Sequence, residues 1–369
     1  MTEAQAWFAL GVAELSARTV RNLLECFGSA AATVAADLSA VQEAVPMRPA
    51  ELTRFRAARE GSYDEAWETM ARLGVQVVTL RDPAYPFSLQ HIPDPPPILF
   101  LRGSLLPQDR CAVAIVGTRR ATPYGLLASE TLARGLAARG VTVVSGLAVG
   151  ADAAAHRGAL AVGGRTIGVL ACGIDLPYPR DTLELREQMA TQGAVLTEVP
   201  LGVPAQRSRF PARNRIISGL SLGVVVTEAP EHSGALITAN FAGEHGRQVF
   251  AVPGSVNSQF SRGTHALLRD GARLVESVED ILDELDLSLP AADAAPSLAP
   301  AAPASAPTPV TLTGDERTLA EALSLQPRHV DDIIVTCGIP PSRVSAGLLM
   351  LELKGLVRRL PGNMFARVR

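Results

Sequence analysis

The stretch Cys111-Ala-Val-Ala-Ile-Val-Gly-Thr-Arg-Arg-Ala-Thr122 passes from an unbroken apolar run straight into a glycine and two arginines. A run this short, rich in β-branched residues and closed by Gly117, reads as a strand buried on both faces. Working outward, runs of the same kind recur at Val141–Gly146, Arg165–Ala171, Ala194–Glu198, Gly223–Glu228, Gln248–Val252 and Ala272–Val275, separated by stretches of helical spacing. Buried strands alternating with helices predict an α/β fold, with an extended Rossmann-like parallel sheet core over 111–285.

The flanks differ in pattern. Residues 1–70 read as an N-terminal helical domain, with apolar residues at helical spacing in Ala6–Leu15, Ala17–Phe27, Ala30–Ala36 and Pro49–Gly61. Residues 71–110 form a connector and the start of the core; Pro83, Pro86, Pro93, Pro95, Pro96 and Pro97 exclude central strand or helix interior at those positions. Residues 286–312 are an Ala/Pro/Ser tract without periodicity and read as a linker. The tail, 313–369, runs helix, helix–turn–helix (Val330–Cys337, then Pro341–Lys354) and a hairpin through Pro361-Gly-Asn363, the order of a C-terminal winged-helix domain.

Composition bounds the partners. A net charge of −3 argues against an indiscriminate basic coat, so an anion site must be local. Lys354 is the only lysine; every other cation apart from histidine is arginine. The four cysteines, Cys26, Cys111, Cys172 and Cys337, have no metal-like spacing and suit a reducing compartment. No charged-then-apolar leader and no apolar run of about 18 residues is present, so a cytoplasmic protein with no membrane partner is expected.

Parallel strands send their following loops to one edge of a sheet. That edge receives Gly117, Thr118, Arg119, Arg120 and Thr122 after the first run, Ser145 and Gly146 after the second, and Ser233 and Gly234 after the fifth. Small residues at helix starts let backbone amides approach an anion. The fourth run is followed by Arg207-Ser-Arg-Phe-Pro-Ala-Arg-Asn-Arg215; between Glu198 and Glu228 stand four arginines and no acid. Guanidinium groups at Arg207, Arg209, Arg213 and Arg215, beside Asn214 and the aromatic Phe210, suit a polyanion whose bases stack.

Other chemistries find less support. No G-x-G-x-x-G follows the first strand, and the only lysine is far from any P-loop position. Asp152 and His156, four apart, read as a helix-start residue and a hydrogen-bonded packing residue rather than a metal half-site. Glu198 and Glu228 end strands and read as partners of arginines such as Arg213 or Arg215 rather than paired catalytic carboxylates. No metal and no cofactor is expected.

Taken together, these phrases resemble the DNA-processing protein A family, also called DprA or Smf. The matching strings are Val113-Ala-Ile-Val-Gly-Thr-Arg-Arg-Ala-Thr-Pro-Tyr-Gly125, Ser145-Gly-Leu-Ala-Val-Gly-Ala-Asp152 with His156, Tyr178-Pro179, Phe210-Pro-Ala-Arg-Asn-Arg-Ile-Ile-Ser-Gly-Leu220, Ser233-Gly-Ala-Leu-Ile-Thr238 and Val252-Pro-Gly254. The resemblance implies a non-enzymatic single-stranded DNA-binding protein that protects incoming DNA and loads RecA recombinase onto it in natural transformation and recombination. It implies phosphate contacts at Arg119 and Thr122, a strand-facing Arg207, Arg209 and Phe210 with Arg213, Asn214 and Arg215 completing the pocket, and a further cation at Arg180.

The N-terminal block resembles a SAM/helix-hairpin-helix-like domain through Thr19–Gly28. Its hairpin, Gly11-Val-Ala-Glu-Leu-Ser16, lacks paired glycines, which favours a scaffold or protein contact over DNA. The candidate recognition helix of the tail offers only Arg343 and Lys354, with Arg358 and Arg359 beyond it; duplex DNA and protein contact both stay open there. A homodimer is implied, and a single-stranded DNA-binding protein is a further candidate partner. The surface expected for the dimer and RecA is His265, Leu267, Leu268 and Leu274. In Gly263–Arg269 the adjacent Ala266, Leu267 and Leu268 cannot all face one core, and Val275, Val278, Ile281 and Leu282 extend the apolar edge.

One enzymatic alternative shares the fold: nucleotide phosphoribohydrolases carry a Pro-Gly-Gly-x-Gly-Thr loop followed by a catalytic glutamate. Here Pro253-Gly-Ser-Val-Asn-Ser-Gln-Phe-Ser-Arg-Gly-Thr264 is interrupted, and no glutamate follows until Glu276.

Overall fold

The computed structural model describes residues 1–287, 312, 314–324, 327–354, 356–360 and 363–367. The chain divides into two compact units, Met1–Ala292 and Asp293–Arg369. Most of the expected linker lies outside the described residues.

The first unit opens with six helices: α1 (Glu3–Val12), α2 (Ala17–Phe27), α3 (Ala30–Ala35), α4 (Leu38–Ala44), α5 (Pro49–Glu60) and α6 (Asp64–Leu73). Serine caps start α2 and α3, where the side chains of Ser16 and Ser29 accept from the amides of Thr19 and Ala32. Helices α4 and α6 fall outside the expected spans; α6 ends at Gly74 in the left-handed region, φ 65°. The block packs on the sheet through Phe8, whose ring meets Phe100 edge-on at 5.5 Å.

Strands β1 (Val75–Thr79), β2 (Ile98–Gly103), β3 (Ala112–Val116), β4 (Thr142–Ser145), β5 (Thr166–Val169), β6 (Ala194–Thr197), β7 (Gly223–Val226), β8 (Gln248–Ala251) and β9 (Arg273–Leu274) form one sheet in the order β1-β2-β6-β5-β4-β3-β7-β8-β9. All seven strands expected from 111–285 are present and parallel to their neighbours within this set. The connector supplies two more, β1 and β2, joined antiparallel to each other and to β6. The prolines stop just short of β2: Pro95-Pro-Pro97 is followed at once by Ile98-Leu-Phe-Leu101, all buried.

Between the strands run α7 (Phe87–Gln90), α8 (Pro123–Ala138), α9 (Ala151–Leu160), α10 (Leu183–Gln192), α11 (Arg209–Gly219), α12 (Gly234–Glu244) and α13 (Arg262–Arg269), and α14 (Val278–Glu284) follows β9. Every residue of β3 is buried because both faces are covered. Ala114 and Val116 pack with Ile216 and Ile217 of α11, while Val113 and Ile115 pack with Leu132 and Leu136 of α8. From β3 the chain winds to β4, β5 and β6 on one side and later to β7 on the other, so the strand order reverses beside β3. A crevice forms at the carboxyl ends of strands where such a reversal occurs.

The second unit contains α15 (Gly314–Ala322), β10 (Arg328–His329), α16 (Val330–Cys337), α17 (Pro341–Leu353), β11 (Val357–Leu360) and β12 (Met364–Arg367), with a three-stranded sheet ordered β10-β12-β11. This is the expected winged-helix order with one short added strand. The two cations of α17 and its cap are engaged by α15: Arg343 pairs with Asp315, and Lys354 Nζ reaches Glu316 Oε1 at 2.7 Å. Among the described residues no single helix is long and apolar enough to cross a membrane.

Candidate nucleic-acid interface

The loop after β3 is tied down at both ends. Thr118 N donates to the Glu228 carbonyl at 2.7 Å, and Thr122 donates to the Glu228 carboxylate from N at 2.8 Å and from Oγ1 at 2.7 Å. Between these anchors Arg119 and Arg120 are exposed. The Arg119 guanidinium stands 4.6 Å above the Phe210 ring, and the Tyr178 ring lies 6.3 Å from Phe210. Two adjoining depressions share Arg119 and Phe210: one is bordered by Gly117, His232 and Gly234, the other by Leu170, Tyr178 and Arg180. The mouth therefore offers aromatic faces with Arg119, Arg120 and Arg180 exposed around them; Arg207, three residues before Phe210 in sequence, is exposed but borders neither depression.

The remaining residues singled out from the sequence have internal partners. Ser145 is buried and donates to Ile115 O at 2.6 Å. Gly146 N donates to Asp152 Oδ2 at 3.1 Å, and Gly146 O accepts from Arg213 Nη1 at 2.7 Å. Arg213 is 5% exposed; the same nitrogen reaches Val169 O, and Nε donates to Asn214 Oδ1 at 3.2 Å. Asn214 Nδ2 in turn donates to Gly234 O at 3.2 Å, steadying the start of α12, where Ser233 caps the helix and Gly234 stands exposed. Arg209 bonds Glu14 of the N-terminal block at 2.7 Å. Arg215 chelates Glu198 at 2.7 and 2.6 Å and lies 3.3 Å from Asp94. Of the four arginines in the phrase, Arg207 alone is exposed.

The two strand-end glutamates part company. Glu198 binds an arginine, as the sequence suggests. Glu228 does not: its carboxylate takes Thr122, because the amide at the start of α8 lies nearer than any guanidinium. Asp152 is buried in the first turn of α9, and His156 is fully buried with Nδ1 2.7 Å from Thr166 Oγ1, a packing role as expected. Burial raises the Asp152 carboxyl, against the opposing charge of Arg213, and lowers Arg213 to about 10.

Burial, with the charges of Arg213 and Arg157, pushes His156 down to about 3. The unfolded state, near pH 6.5, binds this proton first, so the stability contribution is complete above pH 6.5 and is lost as pH falls toward 3. Lowering pH from 6.5 to 5 should cost about 2 kcal/mol from this group, and His156→Gln should flatten that part of the profile in denaturant titrations. An identical pH slope in the variant would refute it.

On the β8–β9 side of the sheet, His265 Nε2 lies 3.1 Å from Gly254 O, Leu267 packs on the core, Leu268 is half-buried and Leu274, on edge strand β9, is 49% exposed. Val275, Val278 and Ile281 face inward, not along the apolar edge expected of them, because α14 packs back on α8.

The chain combines a doubly covered, mostly parallel sheet, whose strand reversal lies beside a cationic, aromatic-lined mouth, with a winged-helix unit. The chain belongs to the DNA recombination-mediator protein A family, whose sequence model matches residues 76–286, and the DprA winged helix domain matches 299–363. It is 39% identical over 319 residues to Protein Smf of Synechocystis sp., covering 79% of this chain and 80% of that one. To the DNA processing protein DprA of Bacillus subtilis it is 44% identical over 214 residues, 58% and 72% of the two chains. Among solved structures, DNA processing protein A from Streptococcus pneumoniae superposes with a TM-score of 0.68 at 33% identity, covering 77% of this chain and 98% of that one. The Helicobacter pylori DNA processing protein A, solved for its single-stranded DNA binding mode, gives 0.52 at 33% identity over 57% and 95%.

Sequence reasoning assigned no contact to the Tyr178 side chain, which stands beside Phe210; Tyr178-Pro179 was its only signal. Glu14 carried no signal at all, being 195 residues from the arginine it holds.

Proposed function

We propose that the chain binds single-stranded DNA across the mouth formed by Arg119, Arg120 and Arg180 around Phe210 and Tyr178, with Arg207 as a further cation. In this reading it covers the incoming strand and loads RecA recombinase onto it in transformation and recombination, as a homodimer in the cytoplasm. The observation that carries it is the Arg119–Phe210 pair, 4.6 Å apart at the centre of the two depressions. Every base has a face that stacks on an aromatic ring, and exposed guanidinium groups meet the phosphates between bases, which suits sequence-tolerant binding. The described binding mode of the Helicobacter pylori relative supports the ligand; RecA loading rests on family membership. Catalysis of the phosphoribohydrolase kind gains nothing from Thr264, which is buried and donates to Ser261 O at 3.0 Å.

Fluorescence anisotropy across a salt series, with single strand, duplex and junction, tests the ligand. Single strand should bind tightest, with affinity falling as salt rises. A preference for duplex that persists after removal of the tail would sink the reading, as would release of free base from a nucleoside monophosphate at a catalytic rate.

The dimer is proposed to form at α13 and β9, through Leu267, Leu268 and Leu274 with His265, on the surface also offered to RecA. Leu268→Glu should then give a folded monomer that binds single strand less tightly, because bivalency is lost. Sedimentation of that variant as an unchanged dimer would place the interface elsewhere.

A further inference from the structure

A carboxylate is built into the mouth that the arginines line. Glu228, just past β7, is 3% exposed. Its side-chain oxygens accept from Thr122 N and Oγ1 at 2.8 and 2.7 Å, and its main-chain carbonyl accepts from Thr118 N at 2.7 Å. One residue therefore holds both ends of the loop that carries Arg119 and Arg120. Gly125 admits it, since a Cβ there would collide with Glu228 Oε2. From the other side Gly150, at φ 86°, lies against the carbonyls of Thr118 and Arg119, and Ala151 N donates to Thr118 O at 3.3 Å. The loop is braced on two sides, and Arg119 leaves it directly over Phe210.

A negative charge beside a polyanion site opposes binding by simple repulsion. The carboxylate also fills the start of α8, where amides would otherwise face a phosphate. We infer that Glu228 is a positioning residue for DNA binding, fixing the 118–122 loop so that the Arg119 guanidinium is held over the Phe210 ring where a phosphate and a stacked base meet. The inference rests on the single-strand reading of this mouth.

The sign of one substitution separates the two effects. If Glu228 acts only by charge, Glu228→Ala strengthens single-strand binding. If it positions Arg119, Glu228→Ala weakens binding about tenfold, the scale of one lost charge-assisted contact. It should also shallow the log affinity–log salt slope by about 0.7, as loss of one phosphate contact does. Added to Arg119→Ala, it should cost nothing further, whereas an independent structural effect would add. Glu228→Gln, which keeps an acceptor for Thr122 N, should retain most of the affinity. Should Glu228→Ala not fold by thermal melting, Thr122→Val, which removes the hydroxyl donor, should show the same slope change and the same lack of additivity. Tighter or unchanged binding in Glu228→Ala, or in Thr122→Val where the alanine variant does not fold, or full additivity with Arg119→Ala, overturns the inference. If Arg119→Ala itself leaves binding unchanged, the single-strand reading fails first and this falls with it.

Discussion

Arg213→Ala is expected to lower the unfolding free energy by about 3–5 kcal/mol, the cost of removing one partner from a buried charged cluster. Its guanidinium is enclosed at 5% exposure and serves the carbonyls of Gly146 and Val169, the side chain of Asn214 and the charge of Asp152. Truncation leaves two carbonyls without their donor and a buried carboxylate without its counter-charge. Arg213→Lys should recover little, since a single ammonium cannot reproduce the separate Nη1 and Nε donors that serve Gly146, Val169 and Asn214. The denaturant midpoint reads the effect directly. A variant of unchanged midpoint that loses only DNA affinity would show that Arg213 faces the ligand instead.

Phe210→Ala should weaken single-strand binding by about 1–3 kcal/mol, the worth of a base stacked on an aromatic ring. The salt slope should hardly change, because stacking releases no counterions. Phe210→Trp should preserve affinity, as it keeps a flat face under Arg119. The ring is half-buried at the first turn of α11, so the alanine variant should fold. Isothermal titration at two salt concentrations separates the outcomes; a steep loss of slope together with affinity would mean that Phe210 acts by holding cations and not by stacking.

What was legible in the sequence follows from what periodicity reports. The seven parallel strands announce themselves because burial on both faces forces unbroken apolar runs, as in Ala112–Val116 and Gly223–Val226. Strands β1 and β2 were hidden by the prolines around them, although Ile98–Leu101 has the same character as the rest. In the site, spacing placed Arg119 and Phe210 on one edge, and they meet there. Glu198 was legible as an arginine's partner and holds Arg215, but the other partners were not, because they come from elsewhere in the chain: Glu14 for Arg209, Asp94 as a second acid for Arg215, and the carbonyls of Gly146 and Val169 for Arg213. A cluster of like charges in sequence is a statement about composition; which members face solvent is decided by tertiary contacts that no local pattern encodes.

The most direct test of the account is the salt dependence of single-strand affinity for the wild type and Arg119→Ala, measured side by side. Arg119 is exposed, has no acidic partner among the described residues and stands over Phe210, so its removal should leave the fold intact. The account predicts weaker binding and a log–log slope shallower by about 0.7, one phosphate contact on a single strand. Equal affinity and equal slope in the two proteins would contradict it and move the DNA to another face of the molecule.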